Sequence, residues 1–149
     1  MKKLIMSLLA AATVCSPALA DSKLTKGFYT MDSMGCMLLR ECTDGIIKVE
    51  SISTIADAHP NSDYSIIANE FSNMLVSLKG VGVNVFLADE KYFPVGHRGV
   101  YHTVGNNFFL NKTFMRLPRV LMSVMRHEGW HAAQDCMAGT IDNSMIAII

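Results

Sequence analysis

Residues 127–131 read His-Glu-Gly-Trp-His, and this pattern has chemical meaning only if the chain is helical there. Residues four apart lie on one face of a helix, so the two histidines can present their imidazoles to a common point. The preceding sequence favours a helix, because Pro118 suits a first helical turn and no proline follows it. We therefore predict a helix over residues 119–137.

An apolar stripe on this helix leads into the motif. Positions at successive three- and four-residue steps share one helix face. The positions in this series are Leu117, Leu121, Val124, Glu128, His131 and Asp135. We expect the motif at the inner edge of the buried face, with Trp130 as a packing anchor and Gly129 making room for a close neighbour.

Two histidines four residues apart, with a glutamate directly after the first, resemble the active-site helix of the zincin metallopeptidases. The resemblance implies that His127 and His131 bind Zn²⁺ and that Glu128 takes a proton from the attacking water. It covers this helix and extends at most back through the strands from residue 81. The implied activity is hydrolysis of a peptide or protein substrate.

A zincin site needs a third protein ligand, which the motif itself does not supply. The metzincin pattern is excluded, because it requires Gly and then His or Asp where this chain has Gln134 and Met137. The resemblance is therefore to a minimal gluzincin-like core, whose third ligand is a Glu on a following helix, but no Glu follows His131. We expect Asp142 to be the third ligand, or else a residue on a C-terminal segment that this chain lacks.

Other acidic and histidine side chains are alternatives for this position. Asp135 lies about 12 Å along the helix axis from His127, too far for two donors that must each reach a metal at about 2 Å. Its expected role is to accept a hydrogen bond from a ligand imidazole or to hold the next loop. The upstream alternatives are His97, His102, Glu70 and Glu90.

The remaining elements predict an α+β fold, a small zincin-like domain in which a short, mostly antiparallel sheet packs on a scaffold helix and the C-terminal motif helix. The scaffold helix is predicted over residues 63–79. The predicted strands are residues 36–41, 46–50, 81–87, 100–103 and 107–110, the third of them packed mainly on one face.

The hairpin of residues 99–110 directly precedes the motif helix. The resemblance to the zincins, in which an edge strand before the active helix receives the substrate as an added antiparallel strand, implies this role for the hairpin. It brings His97, Tyr101 and His102 within reach of the metal. We assign His102 a catalytic role as a donor to the oxyanion of peptide hydrolysis.

Residues 1–20 have the three parts of a secretory signal peptide: two lysines, an apolar run and a small-residue cleavage site. Residues 21–149 are then expected to form one domain, secreted or periplasmic, without membrane contact after cleavage. Cys36, Cys42 and Cys136 remain in this domain. Export favours a disulfide, all three pairings are open, and the odd count leaves one thiol over.

These features predict an exported zinc-dependent hydrolase with a peptide or protein as substrate. The alternative is a catalytically inactive, zincin-like secreted module for binding or assembly, and a third interpretation is a disulfide-tethered scaffold without a metal. Thirteen basic residues balance thirteen acidic ones, so no surplus of positive charge indicates a nucleic-acid partner.

Overall fold

The computed structural model describes residues 33–138 and 146–148. The chain has an α+β fold, as predicted. Its helices are α1 (Ser33–Leu38), α2 (Ile52–Ala58), α3 (Ala68–Gly80) and α4 (Pro118–Ala138). Its strands are β1 (Ile46–Lys48), β2 (Asn84–Ala88), β3 (Gly99–His102), β4 (Asn107–Asn111) and β5 (Ile146–Ile148), and short 3-10 turns occupy Glu90–Tyr92 and Lys112–Arg116. The predicted signal peptide and Asp142 lie outside the described residues.

The two long helices agree with the sequence pattern. The motif helix α4 begins at Pro118, one residue before the predicted start. The scaffold helix α3 begins at Ala68, later than predicted, because the Asp63 carboxylate accepts a hydrogen bond from the Ser65 N–H at 2.9 Å and closes a local turn instead of capping the helix. Among the described residues, no helix is both long and apolar enough to span a membrane.

The prediction of a strand over residues 36–41 is wrong, because this segment begins within α1. Met37 and Leu38 are adjacent apolar residues whose side chains are both buried, which a short helix achieves against the sheet. A short apolar run does not distinguish a helix from a strand by periodicity alone. The helix α2 was also missed, although Ser51 is its N-cap and accepts from the Ser53 N–H.

Two cysteines close the loop that follows α1. Cys36 and Cys42 form a disulfide across six residues. The expected leftover thiol is not found among the described cysteines, since Cys136 is not free.

The sheet has the strand order β1-β2-β4-β3-β5. β2 and β4 are parallel, whereas the other three pairings are antiparallel. The predicted hairpin is present as β3 and β4, joined by a turn that contains Asn106 at a positive φ of 53°. β3 therefore lies between β4 and β5.

Both faces of the sheet are covered, so the prediction that the strand beginning at residue 81 packs mainly on one face is wrong. Val85 and Leu87 of β2 face the main core with α3 and α4, while Phe86 faces a second core that includes Met37 of α1. Phe86 stacks on Phe109 of β4 with ring centroids 5.3 Å apart. A strand buried on both faces carries a continuous apolar run instead of an alternating one.

Gly129 allows α4 to lie close to α3. A Cβ at this position would lie 3.1 Å from the Met74 methyl carbon, so the expected close neighbour is present. Trp130, by contrast, is 53% exposed and is not the packing anchor that we predicted. The buried face of α4 thus ends in a tight helix contact, and the tryptophan lies outside it.

A forked ion pair also joins α3 to α4. The Arg126 guanidinium donates to Glu70 through Nε to Oε1 at 2.9 Å and through Nη2 to Oε2 at 3.0 Å. The Glu70 side chain is 7% exposed, whereas Arg126 is 38% exposed. The buried partner is therefore the carboxylate, which depends on Arg126 for compensation of its charge.

We predict that Arg126→Met lowers the free energy of unfolding by about 2 to 3 kcal/mol, because it leaves the Glu70 carboxylate buried without its cation. The double variant Glu70→Gln/Arg126→Met should recover part of this loss, as measured by urea denaturation. Lys79→Met is the control, because its partner Glu50 is exposed and its loss should be smaller. A double variant as unstable as Arg126→Met would contradict this assignment.

Candidate metal centre

The two motif histidines converge on the outer side of α4. Their Nε2 atoms are 3.2 Å apart, and their rings meet edge to face with centroids at 4.7 Å. Two nitrogens that each lie about 2.0 to 2.1 Å from a tetrahedral metal are about 3.3 to 3.4 Å apart. His127 is exposed and His131 is half-buried, so the pair is open to solvent. The geometry of His127 and His131 therefore fits two ligands of one metal.

Gln134 sets the orientation of His131. The Gln134 Oε1 atom lies 3.0 Å from His131 Nδ1, and since an amide oxygen only accepts, Nδ1 carries the proton. The lone pair of His131 is then on Nε2, which faces His127. Sequence reasoning used Gln134 only to exclude the metzincin pattern, although its spacing of three residues from His131 on a helix was a usable signal.

The surroundings of His127 favour the neutral form of its imidazole. Burial and then the neighbouring His131 lower the pKa of His127. A neutral imidazole is the form that binds a metal. This shift therefore favours the metal-binding form of His127 at neutral pH.

Glu128 occupies the adjacent, inward face of the helix. Its side chain is 0% exposed, and neither carboxylate oxygen has a hydrogen-bond partner that meets normal geometry. Burial raises the pKa of Glu128 to about 8, and the Tyr101 backbone N–H opposes this shift only in part. Without a nearby cation, the group is mainly a neutral carboxylic acid at pH 7.

Tyr101 connects this helix face to β3. Its hydroxyl donates to Asp135 Oδ2 at 2.9 Å, and its backbone N–H acts on Glu128. Burial raises the pKa of Tyr101, as do the two nearby carboxyl groups, so the hydroxyl remains a donor. Asp135 therefore anchors β3, and the loop that it is expected to support, residues 139–145, lies outside the described residues.

The other sequence-predicted residues do not join the histidine pair. His102 follows Tyr101 on a strand and so points to the opposite face of the sheet, where Val100 also lies. It is fully buried, and burial lowers its pKa to about 4. The structure therefore does not place His102 where it could donate to an oxyanion beside His127 and His131.

A third metal ligand is not found in the part of the chain that the structure describes. There, no group of three or more His, Cys, Asp or Glu side chains could hold a metal ion. Glu70 is paired with Arg126, and Glu90 is exposed in its 3-10 turn. Neither they nor His97 and His102 complete the site, and Asp142 lies outside the described residues.

Compared with models of protein families, with curated proteins and with solved structures, the chain matches none. The resemblance to the zincins therefore rests on the helix motif and on the arrangement of the side chains around it.

The buried carboxyl group predicts a specific dependence of stability on pH. Glu128 titrates at a pKa of about 8 in the folded protein and at 4.5 in the unfolded chain. Between these values the folded state holds a proton that the unfolded state releases, so the stabilising contribution is full below pH 4.5 and is lost as the pH rises to 8. The expected slope from this group is a loss of about 1.4 kcal/mol per pH unit.

The measurement is urea unfolding of the parent and of Glu128→Gln with a chelator present, between pH 6.5 and 8. His102, whose pKa is about 4 in the folded protein and 6.5 in the unfolded chain, is present in both proteins, so its contribution cancels in the comparison. The stability of the parent should fall relative to that of the variant across the window. Parallel stability curves would show that Glu128 is already ionised in the folded state.

Proposed function

We propose that the chain is a zinc-dependent hydrolase that acts on peptides or proteins. The observation that carries this proposal is the convergence of the His127 and His131 Nε2 atoms at 3.2 Å, on the helix turn that also holds Glu128. A Zn²⁺ ion bound there supplies a Lewis acid and lowers the pKa of water toward 7. Asp142, which itself lies outside the described residues, is proposed as the third ligand.

The side chains at the proposed site have separate roles. His127 and His131 would hold the metal through Nε2, and the Gln134 contact to Nδ1 would keep the lone pair of His131 on Nε2. Glu128 accepts the proton of the attacking water. Glu128 would be a base rather than a buried acid once a bound dication lowered the pKa of its carboxyl group by charge attraction.

The second candidate function is an inactive binding or assembly module with the same histidine pair. The observation that favours it is the complete burial of Glu128, which keeps the carboxylate away from bulk water in the described structure. The two candidates differ in one measurable property, because both can bind a metal at the histidine pair but only the enzyme hydrolyses a peptide bond.

We also propose that the protein is exported. Residues 1–20 have the composition of a signal peptide, and the Cys36–Cys42 disulfide is of a kind that persists in oxidising compartments.

Metal binding is expected to follow the geometry of the pair. In isothermal titration with Zn²⁺, the parent should bind about one ion per chain, and His127→Ala or His131→Ala should abolish this binding. Gln134→Leu should weaken it about 10- to 100-fold, because the His131 tautomer is no longer held.

His59→Ala is the matched control for these variants. Its imidazole Nε2 contacts the Lys112 carbonyl at 2.7 Å, so its loss should leave zinc affinity unchanged. Unchanged zinc affinity in both His127→Ala and His131→Ala would place the metal elsewhere.

Hydrolysis is expected to depend on Glu128. The variant Glu128→Gln should keep the zinc content and the circular dichroism spectrum of the parent, while hydrolysis of an unfolded protein falls at least about 100-fold, because an amide does not accept the proton. If the zinc-loaded parent hydrolyses no extended peptide even at about 1 mM, the binding module is the correct interpretation. A variant as fast as an active parent would remove Glu128 from the mechanism.

A further inference from the structure

The edge of β3 that faces away from β4 is occupied by a segment of the same chain. β5 pairs antiparallel with β3, in the register Val100 with Ile148, Tyr101 with Ala147 and His102 with Ile146. The outer edge of a sheet otherwise presents unpaired backbone groups to which an extended peptide can add. This pairing shows that the β3 edge accepts an added antiparallel strand.

The backbone groups that hold β5 can be assigned from the β3–β4 ladder. The Asn111 N–H donates to the Arg98 carbonyl at 2.8 Å, so Arg98 and every second residue after it direct their backbone groups toward β4. Tyr101 lies out of phase with this series and directs its N–H and C=O toward β5. In the observed register, Tyr101 and Ala147 are therefore a hydrogen-bonded pair of the β3–β5 ladder.

Tyr101 is also the residue that borders the candidate metal centre. Its hydroxyl binds Asp135 of α4, and its backbone N–H is close enough to Glu128 to act on the carboxylate. β5 contacts α4 as well as β3. A strand paired at Tyr101 thus runs beside the helix face on which the Glu128 side chain is fully buried.

We propose that residues 146–148 are an intramolecular strap that occupies the binding edge of an extended peptide substrate, and that this peptide must displace the strap before Glu128 can act. This inference rests on the proposed function and deepens it, because it adds a contact within the chain that regulates access to the same site. The substrate is an extended or unfolded segment that pairs through its main chain with Tyr101. A folded surface without a free strand does not fit this edge.

The strap is suited to exchange because it is short. Within the described part of the chain, β5 has three residues, and their register gives one hydrogen-bonded pair with β3, at Tyr101 and Ala147. A longer extended peptide can continue the ladder along all of β3 and so compete with the strap. Competition requires peptide at about 1 mM or more, because a tethered segment has an effective concentration of that order.

The first test compares Ala147→Pro with Ala147→Val in the full chain. Proline removes the N–H that pairs with Tyr101, whereas valine keeps it and favours a strand. With a reduced, carboxymethylated protein as substrate, Ala147→Pro should raise kcat/KM about tenfold over Ala147→Val, because the binding-competent state is no longer a minor population. If the two variants are equally active although the Tyr101 amide exchanges faster in Ala147→Pro, the strap is not inhibitory and the proposal is overturned.

The second test needs no variant and so does not depend on the folding of Ala147→Pro. A peptide with the sequence of residues 144–149, extended by two lysines for solubility, is added to the parent chain at about 1 mM. Hydrogen exchange measured by NMR should show that the Ala147 amide loses protection while the Tyr101 amide keeps it, because the peptide replaces the strap. Binding is followed independently by the fluorescence of Trp130, the only tryptophan in the chain.

The two proposals fail in different ways. Strap displacement by the peptide without any hydrolysis, even in Ala147→Pro, would overturn the proposed function and support the exchange of strands at β3. Hydrolysis by the parent with an Ala147 amide that stays protected at saturating peptide would support the proposed function and overturn the strap.

Discussion

The docking of α4 on β3 is the contact on which the rest of this structure depends. One residue, Tyr101, spans it: the hydroxyl binds Asp135, and the backbone N–H faces Glu128. These two carboxyl groups are seven residues apart, so they share a helix face two turns apart and can both meet one tyrosine. With that face committed to the sheet, His127 and His131 are directed to the side of the helix that solvent reaches.

Neighbouring residues on α4 have pKa values shifted in opposite directions, because one is a carboxylic acid and the other an imidazole. Burial raises the pKa of Glu128 and lowers that of His127, so both groups are mainly uncharged at neutral pH without a cation. A dication bound at the proposed site would favour ionisation of the neighbouring Glu128 carboxyl group by charge attraction. Metal binding and deprotonation of Glu128 would then be linked, and the protonation of the proposed base would depend on whether the site holds a metal.

The outer edge of β3 lies next to the docked face of α4. One edge of β3 is paired with β4, so a further strand can pair through its main chain only at the outer edge of β3, where β5 lies. The same Tyr101 belongs to that edge and to the docked helix. The paired edge of β3 and the buried Glu128 carboxyl group are therefore close together in space. In sequence, β5 follows Glu128 by some twenty residues.

The local features of this protein were determined by its sequence: Pro118 and the apolar steps predict α4, the four-residue spacing predicts the convergence of the histidines, and Gly129 predicts a close helix contact. Such features depend on the fixed geometry of a helix. Only the tertiary structure decided that residues 33–38 are helical, that Trp130 is exposed, and that His102 faces away from the site. It also decided that Asp135 binds Tyr101 and that β5 covers β3. These outcomes depend on which element packs against each residue, and local sequence spacing does not contain that information. Side chains at neighbouring strand positions point to opposite faces of the sheet, and only tertiary packing decides which face meets which element.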